Sequence, residues 1–480
     1  MNPIAVGILR PRSAALLATA LLTGCAPFHE LSDDVRQRIA DESRPLSPTI
    51  SDHRAVRDAA EAAMRGEVPL PEAFAIAPDA GLDDFVHLAL ARNPRLQARI
   101  RDLEALGMRV PQVSSLSDPM LSLIPPTGSL VETAGGQMTA GLGLAQGLPW
   151  PGKLETLGKA AEQVVRVALA NLDSERLRII ADTKNAYYDL YRAKVSVDVT
   201  TELERLLQSV RDSAAARVAV GAASQQDLLR LEVELYDLSN RRIDFEQQRA
   251  TARARLNVLM DRAVDAPLPD PAPIDLTPLQ WRLLSLLRRA DEHGPQLLAM
   301  RQRIGIDLLR RAYADLAYYP DLSLGGLFSF IRNGGRSPVA DGADIWNLNL
   351  GLTLPIWTAK LDAGVLQRNA EALASALRYR DARNEVLFTL QRLLVEVDAS
   401  YRRAVLLRDG ILARALQAVR VAQSGYDAGS VEFATLIAGW RRLLDLQLDY
   451  HRTLAALEQN VSEVERVAGG DLQRSESPEE

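Results

Sequence analysis

Cys25 is the single cysteine among 480 residues, which excludes a disulfide framework and a thiolate metal cage. The five histidines, His29, His53, His87, His293 and His451, share no ligand spacing such as HxxxH, so no metal site is expected. Aromatics make up only 5% of the chain. A compact enzyme core usually holds more, whereas long thin helices rich in Ala, Leu and Arg do not need them. Beyond the first two dozen residues no apolar run is long enough to cross a bilayer as a helix. With 47% hydrophobic and 25% charged residues, the chain is neither disordered nor a polytopic helical membrane protein. A formal charge of −6 leaves no basic footprint, so nucleic acid is not an expected partner. Catalytic signatures are missing too: there is no HExxH, no GxSxG and no Walker loop. Gly141-x-Gly143 with Gly147 falls short of a dinucleotide fingerprint and sits in an alternating segment. The chain is expected to be no enzyme and to hold no cofactor.

What is present begins with an address. Arg10 and Arg12 precede the apolar run Ser13 to Leu22, which ends in small residues: a charged region, a short apolar region and a cleavage site. Residues 1–24 read as a signal peptide, too short to span a membrane. Its removal takes two positive charges from −6 and leaves −8. Leu22-Thr23-Gly24-Cys25 resembles a bacterial lipobox, in which the cysteine is acylated and becomes the first residue. Ala26 follows, and by the same resemblance the absence of Asp there implies sorting to the outer membrane. Residues 25–80, rich in Pro and Ala, read as a lipid-anchored extension laid over the surface.

The rest of the chain repeats itself. Asn93-Pro94-Arg95-Leu96 reappears as Gly294-Pro295-Gln296-Leu297, and Leu121-Ser122-Leu123 as Leu322-Ser323-Leu324. Gly143-Leu144 through Lys153-Leu154 matches Gly351-Leu352 through Lys360-Leu361, and Gly221 with Leu228 matches Gly429 with Leu436. Two copies of one unit, 81–270 and 275–470, therefore follow each other, with a flexible tail at 471–480.

Within each copy the pattern alternates between two periods. Residues 159–220 hold neither Gly nor Pro, room for an unbroken helix of about 90 Å at 1.5 Å per residue. Residues 222–266 form a second such run. Its apolar positions Leu228, Leu231, Leu235, Leu238, Phe245, Ala252, Leu256 and Leu259 fall on a 3,4 alternation, with Arg242 and Arg249 in the remaining slots. The second copy repeats this stripe with Leu436, Trp440, Leu443, Tyr450, Leu454, Leu457 and Val461. So narrow a seam predicts long helices packed side by side. Helical hairpins result, with tips near Gly221 and Gly425 to Gly429.

The strand signals have period two. Trp346, Leu348, Leu350, Leu352 and Leu354 alternate with Asn347, Asn349, Gly351 and Thr353, and Met138, Ala140, Leu142 and Leu144 with Thr139, Gly141, Gly143 and Ala145. Each is preceded by another candidate strand, Met120 to Ile124 and Leu322 to Phe330, across Gly/Pro-rich loops at 125–137 and 332–344. About ten residues of apolar-out, polar-in alternation suit an outer-membrane strand. A half-buried pair in a soluble sandwich fits the alternation as well, and the exported amino terminus favours the membrane. Four strands cannot close a barrel, and an open edge in lipid leaves backbone groups unpaired. Three copies give twelve strands, whereas two give a barrel too narrow for a solute.

Over residues 80 to 470 the sequence resembles the TolC-type outer-membrane efflux family. The carriers are Leu88-Ala89-Leu90 with Asn93-Pro94, the segment Gly147-Leu148-Pro149-Trp150-Pro151-Gly152-Lys153, the Tyr426-x-x-Gly429 loop and the duplication. The resemblance implies a mixed α and β membrane protein. Long α-helical hairpins would form a periplasmic α-barrel, and four β-strands per protomer would contribute to a trimeric 12-stranded outer-membrane β-barrel. It further implies a passive exit duct for drugs or metal ions, working with a periplasmic adaptor and an inner-membrane pump and set in outer-membrane lipid. Pro-Trp-Pro-Gly-Lys resembles the subgroup that serves heavy-metal pumps. A lipidated periplasmic adaptor is the alternative, although one hairpin inside a split β-rich domain would not give two hairpins and two strand pairs.

Candidate site residues follow from position. Trp150, Trp346 and Trp357 lie at strand ends, where they suit the membrane interface; for Trp150 and Trp357 packing at the strand-to-helix corner is the alternative. Lys153 and Lys360 read as solvated corner charges. At the tips, Asp227, Tyr426, Asp427 and Glu432 are gate candidates: in a trimer each carboxylate occurs three times, and rings of Asp227 and Glu432 favour cations. Hydrogen bonds to Tyr426 or Arg217 would hold such tips together. The competing expectation is capping, Ser224 with Asp227 as a capping box and Ser430 on the next helix. Thr435 and Ala438 stand where better-known members carry acidic residues.

Overall fold

The computed structural model describes residues 29–125, 132–133, 135–219, 224–333, 341–428 and 430–472. The signal peptide, Cys25, the first hairpin tip around Gly221, Gly429 and residues 473–480 lie outside them. The chain forms two compact units. One holds Met1–Glu42, Asp102–Ala168 and Met300–Arg378, the other Ser43–Arg101, Leu169–Ala299 and Tyr379–Glu480. Each unit takes matching parts from both sequence copies.

The duplication is visible element by element. After two helices of the extension, α1 (Asp33–Ser43) and α2 (His53–Met64), the first copy runs α3 (Leu82–Arg92), α4 (Pro94–Ser114), β1 (Met120–Ile124), the two-residue β2 (Glu132–Thr133), β3 (Gly136–Leu148), α5 (Lys153–Ala219) and α6 (Gln225–Leu259). The second runs α7 (Leu283–His293), α8 (Pro295–Asp315), β4 (Leu322–Arg332), β5 (Ile345–Leu352), α9 (Thr358–Val405), a π-helical turn (Leu406–Leu412), α10 (Ala413–Asp427) and α11 (Phe433–Ala468). Helices α3 and α7 both have 11 residues, and α4 and α8 both have 21. Pro94 and Pro295 open the longer helix of each pair, where a missing N–H costs nothing and φ is already helical.

All strands of the sheet are antiparallel, in the order β1-β3-β4-β5, with β2 beside β3. The central pairing, β3 on β4, joins the two copies. One expectation is corrected here. Met138 does not share a face with Ala140, Leu142 and Leu144, because the register shifts between Met138 and Ala140. A bulge inserts one residue and flips the side chains beyond it. Met138 therefore pairs with Ile331, and its methyl group crowds the Gly141 side of the sheet.

Helix limits differ from expectation for local reasons. Helix α5 starts before Gly158, which is a packing notch and not a breaker: a Cβ there would come within 2.3 Å of the His29 Cβ. Helix α6 stops at Leu259, without Gly or Pro, because Asp261 takes a positive φ of 51°. Asn257 then donates to the carbonyls of Val264 and Ala266, and accepts from Arg262 at 2.9 Å. The second long helix is interrupted by the π-turn around Gly410.

In the second unit α5, α6 and α11 share an apolar cluster of Leu203, Leu207, Leu231, Leu238, Phe433, Ile437, Leu444 and Leu448, against which Tyr426 of α10 packs. Leu231, Leu238, Leu256 and Leu259 of the expected α6 seam are buried. Arg242 and Arg249 fill their slots by pairing, Arg242 with Glu204 and Glu246 and Arg249 with Asp270. Helix α11 buries more than the narrow seam, since Ile437, Leu444, Leu446 and Leu448 are also covered.

Candidate channel surfaces and hairpin tips

The two faces of the sheet differ in chemistry. The register places Leu121, Leu123, Leu142, Leu144, Leu324, Phe328, Trp346, Leu348, Leu350 and Leu352 on one side. All but half-buried Leu324 are open: Leu350 is 75% exposed, Leu123 73% and Trp346 68%. The other side carries Ser122, Gly143, Ala145, Ser323, Gly325, Ser329, Asn347, Asn349 and Gly351, with Leu327 among them and Met120, Ile124, Met138, Ile331 and Ile345 toward the strand ends. An apolar face of this extent on an otherwise polar protein belongs against another apolar phase, and its alternation is that of a lipid-facing strand. The small, mostly polar middle of the other side is built to stay close to water. Among the described residues no helix is long and apolar enough to cross a membrane, and no three His, Cys, Asp or Glu side chains are grouped to hold a metal ion.

The strand-to-helix corner in the same unit is a built junction. Asp321, one residue ahead of β4, accepts from the Trp150 backbone N–H at 2.7 Å and from the Lys153 ammonium at 2.8 Å. Its own carbonyl accepts from the Thr353 N–H at 2.9 Å. The Trp150 ring stacks on Tyr319, centroids 5.1 Å apart and 15° from parallel. Lys153 is buried, so its expected role as a solvated charge is corrected: the acid that neutralises it comes from the other copy, far away in sequence. Lys360 is exposed, as expected. Of the three tryptophans, Trp150 is half-buried in this corner, while Trp346 and Trp357 are open. Sequence reading missed Asp321 and Tyr319. A signal existed in Pro320-Asp321, which immediately precedes a strand of the second copy.

The extension is pinned in the first unit by a polar cluster on α5. Glu162 accepts from the His29 Nε2 at 2.6 Å, the Ser32 hydroxyl at 2.6 Å and Arg166 at 2.9 Å. Arg166 also reaches Asp34 at 3.1 Å. Burial alone would push the Glu162 carboxyl up, but the bonds from Ser32, His29 and Arg166 outweigh it and hold it below its ordinary 4.5.

At the tips, Ser224 caps α6, its hydroxyl accepting from the Gln226 N–H at 3.1 Å. Asp227 lies half-buried in the first turn, where the helix dipole favours a negative charge. Ser430 does not cap the following helix. Its N–H and hydroxyl donate to the Gly425 carbonyl at 2.8 and 3.0 Å and so close the end of α10, because the backbone must first satisfy the carbonyls that α10 leaves open. Glu432 holds the N-cap position of α11, exposed and without a side-chain capping bond. Tyr426 turns its ring onto Phe433, centroids 5.4 Å apart, and packs against the apolar cluster of the hairpins. Asp427 is the last residue of α10.

Comparison with known proteins decides the family. The profile described as Outer membrane efflux protein matches residues 85–261 and 286–470, one stretch in each copy. The chain belongs to this family. It is an outer-membrane efflux channel, and the adaptor alternative falls away. Among curated proteins it is similar to the cobalt-zinc-cadmium resistance protein CzcC of Cupriavidus metallidurans, 23% identical over 81% of this chain and 90% of that protein. Among solved structures its fold is that of CusC (TM-score 0.69, 15% identity, 84% of this chain and 97% of that one). The open-state MtrE outer membrane channel of Neisseria gonorrhoeae is also similar (TM-score 0.65, 19% identity, 85% and 98%). Both solved relatives are channels.

Proposed function

We propose that three copies of this chain close one 12-stranded barrel in the outer membrane and form the exit duct of a tripartite pump, working with a periplasmic adaptor and an inner-membrane transporter. The exposed apolar face of the sheet carries the proposal, because it ends in two edges. Among the described residues β1 pairs only with β3, and β5 only with β4. In lipid each orphan backbone group costs several kcal/mol, and a second and third copy remove both edges at once. Cys25 is read as the lipid-bearing first residue, followed by the extension that His29 and Ser32 fasten to α5.

Cargo selection is assigned to the pump. Along its middle the water-facing side of the sheet offers mostly Gly, Ser, Ala and Asn, which suit water and grip no particular solute. Similarity to a cobalt-zinc-cadmium resistance protein makes divalent transition metals the first cargo to test. Native mass spectrometry of detergent-extracted protein should give a trimer, each subunit heavier than residues 25–480 by its acyl groups. Planar bilayers should show a conducting pore. A monomer without conductance would sink the channel assembly, and an unmodified mass would sink the anchor alone. Cells lacking the channel should lose metal tolerance; loss of dye or drug tolerance alone would assign the pump to organic cargo.

A further inference from the structure

The two strand hairpins of the sheet are built to one plan. Ser122 of β1 lies opposite Gly143 of β3, and Ser323 of β4 lies opposite Gly351 of β5. In both, a Cβ on the glycine would come within 2.3 Å of the serine hydroxyl. Thus β1 corresponds to β4, and β3 to β5. The central contact of β3 with β4, which sets Leu148 opposite Leu322, is then the contact that β5 would offer to β1 of another copy. It is sealed inside the chain by buried Lys153 and half-exposed Asp321, 2.8 Å apart.

The corresponding groups at the two edges have no such partner among the described residues. Lys360, in the first turn of α9, is exposed, and so is Asp118, ahead of β1. Among the described residues neither side chain has an ion-pair partner. Asp118 stands two residues before the position that matches Asp321, since Pro119-Met120 replaces Pro320-Asp321. Residues two apart share a side of an extended backbone, and the proline that follows keeps Asp118 extended. The long stem of Lys360 can cover the remaining offset. Within one chain the pair cannot form, because three strand spacings separate β1 from β5, about 14 Å.

We propose that Lys360 of each protomer pairs with Asp118 of the next copy, repeating between subunits the clamp that Lys153 and Asp321 form within one. The pair would fix which edge meets which, and so set a head-to-tail ring that closes. This inference rests on the trimer proposed above, and the test separates the two.

Full-length protein in detergent is treated with a carbodiimide, which joins a carboxylate to a touching amine without a spacer. A denaturing gel should show covalent dimers and trimers, with a linked peptide containing Asp118 and Lys360. Lys360→Met should remove them. Lys360→Asp and Asp118→Lys should each raise the monomer fraction about threefold or more, and the double exchange should restore it. A native trimer lacking the linked peptide, or a double exchange no better than its singles, overturns the pair and leaves the trimer standing. A wild-type monomer by native mass overturns the trimer itself.

Discussion

At the residue scale, buried charge explains what composition left out. Lys153 looked like one of two equivalent corner lysines, and nothing local distinguishes it from Lys360. The difference is a partner 168 positions away, which no spacing rule reaches. Asp321→Ala should therefore cost about 1–3 kcal/mol, since it strands a buried ammonium and the Trp150 N–H together. Lys153→Met should cost less, because Asp321 keeps contact with water at 42% side-chain exposure. Chemical denaturation of the two variants checks the order, and equal losses would refute it. Glu162 supplies a pH dependence. Its carboxyl is held low in the folded chain, so its contribution is whole above 4.5 and disappears as pH falls through the folded value below that. Hydrogen-exchange protection over residues 29–43, taken relative to the intrinsic rate at each pH, should fall on acidification below pH 4.5, and Glu162→Gln should flatten that response. A variant that keeps the wild-type profile would show that another group controls the strap.

At the element scale, periodicity carried most of the reading. The strand faces were legible because alternation in Leu348, Leu350 and Leu352 is a direct consequence of two residues per pleat. The bulge at Met138 was not, since one inserted residue leaves composition unchanged. Helix existence was likewise legible from Gly/Pro-free runs. Their ends were less so, because Gly158 serves packing with His29 and α6 is stopped by side-chain bonds of Asn257 and Arg262. The facing assignment makes a paired prediction. Leu350→Arg puts a charge on the apolar side near mid-strand and should cost about 2–4 kcal/mol of barrel stability. Asn349→Arg, its neighbour on the small polar side, should leave assembly intact and alter conductance. Heat-modifiable migration on gels and single-channel recording measure the two. Equal tolerance in assembly would reverse the facing.

At the scale of the whole molecule, the duplication was the most legible feature, because matched order over two long stretches survives even where each motif is short. The tips were the least legible, since the same residues suit capping and gating. The structure divides those roles among neighbours. Ser224 caps α6, Ser430 closes α10, and Tyr426 packs on Phe433. Capping thus takes the hydroxyls, and leaves Asp227 half-buried and Glu432 exposed at helix starts. A carboxylate there gains a little from the helix dipole, about 0.3–1 kcal/mol, which is a stability role that needs no trimer. A gate role needs three copies, because only a ring of carboxylates concentrates enough charge to prefer cations. We expect the ring, with Asp227 and Glu432 standing in for the acidic residues absent at Thr435 and Ala438. The double variant Asp227→Ala/Glu432→Ala should lower cation selectivity or raise resting conductance in planar bilayers, beyond its small loss of thermal stability. Wild-type selectivity and conductance with only a lower melting temperature would reduce both acids to dipole partners and put the constriction elsewhere.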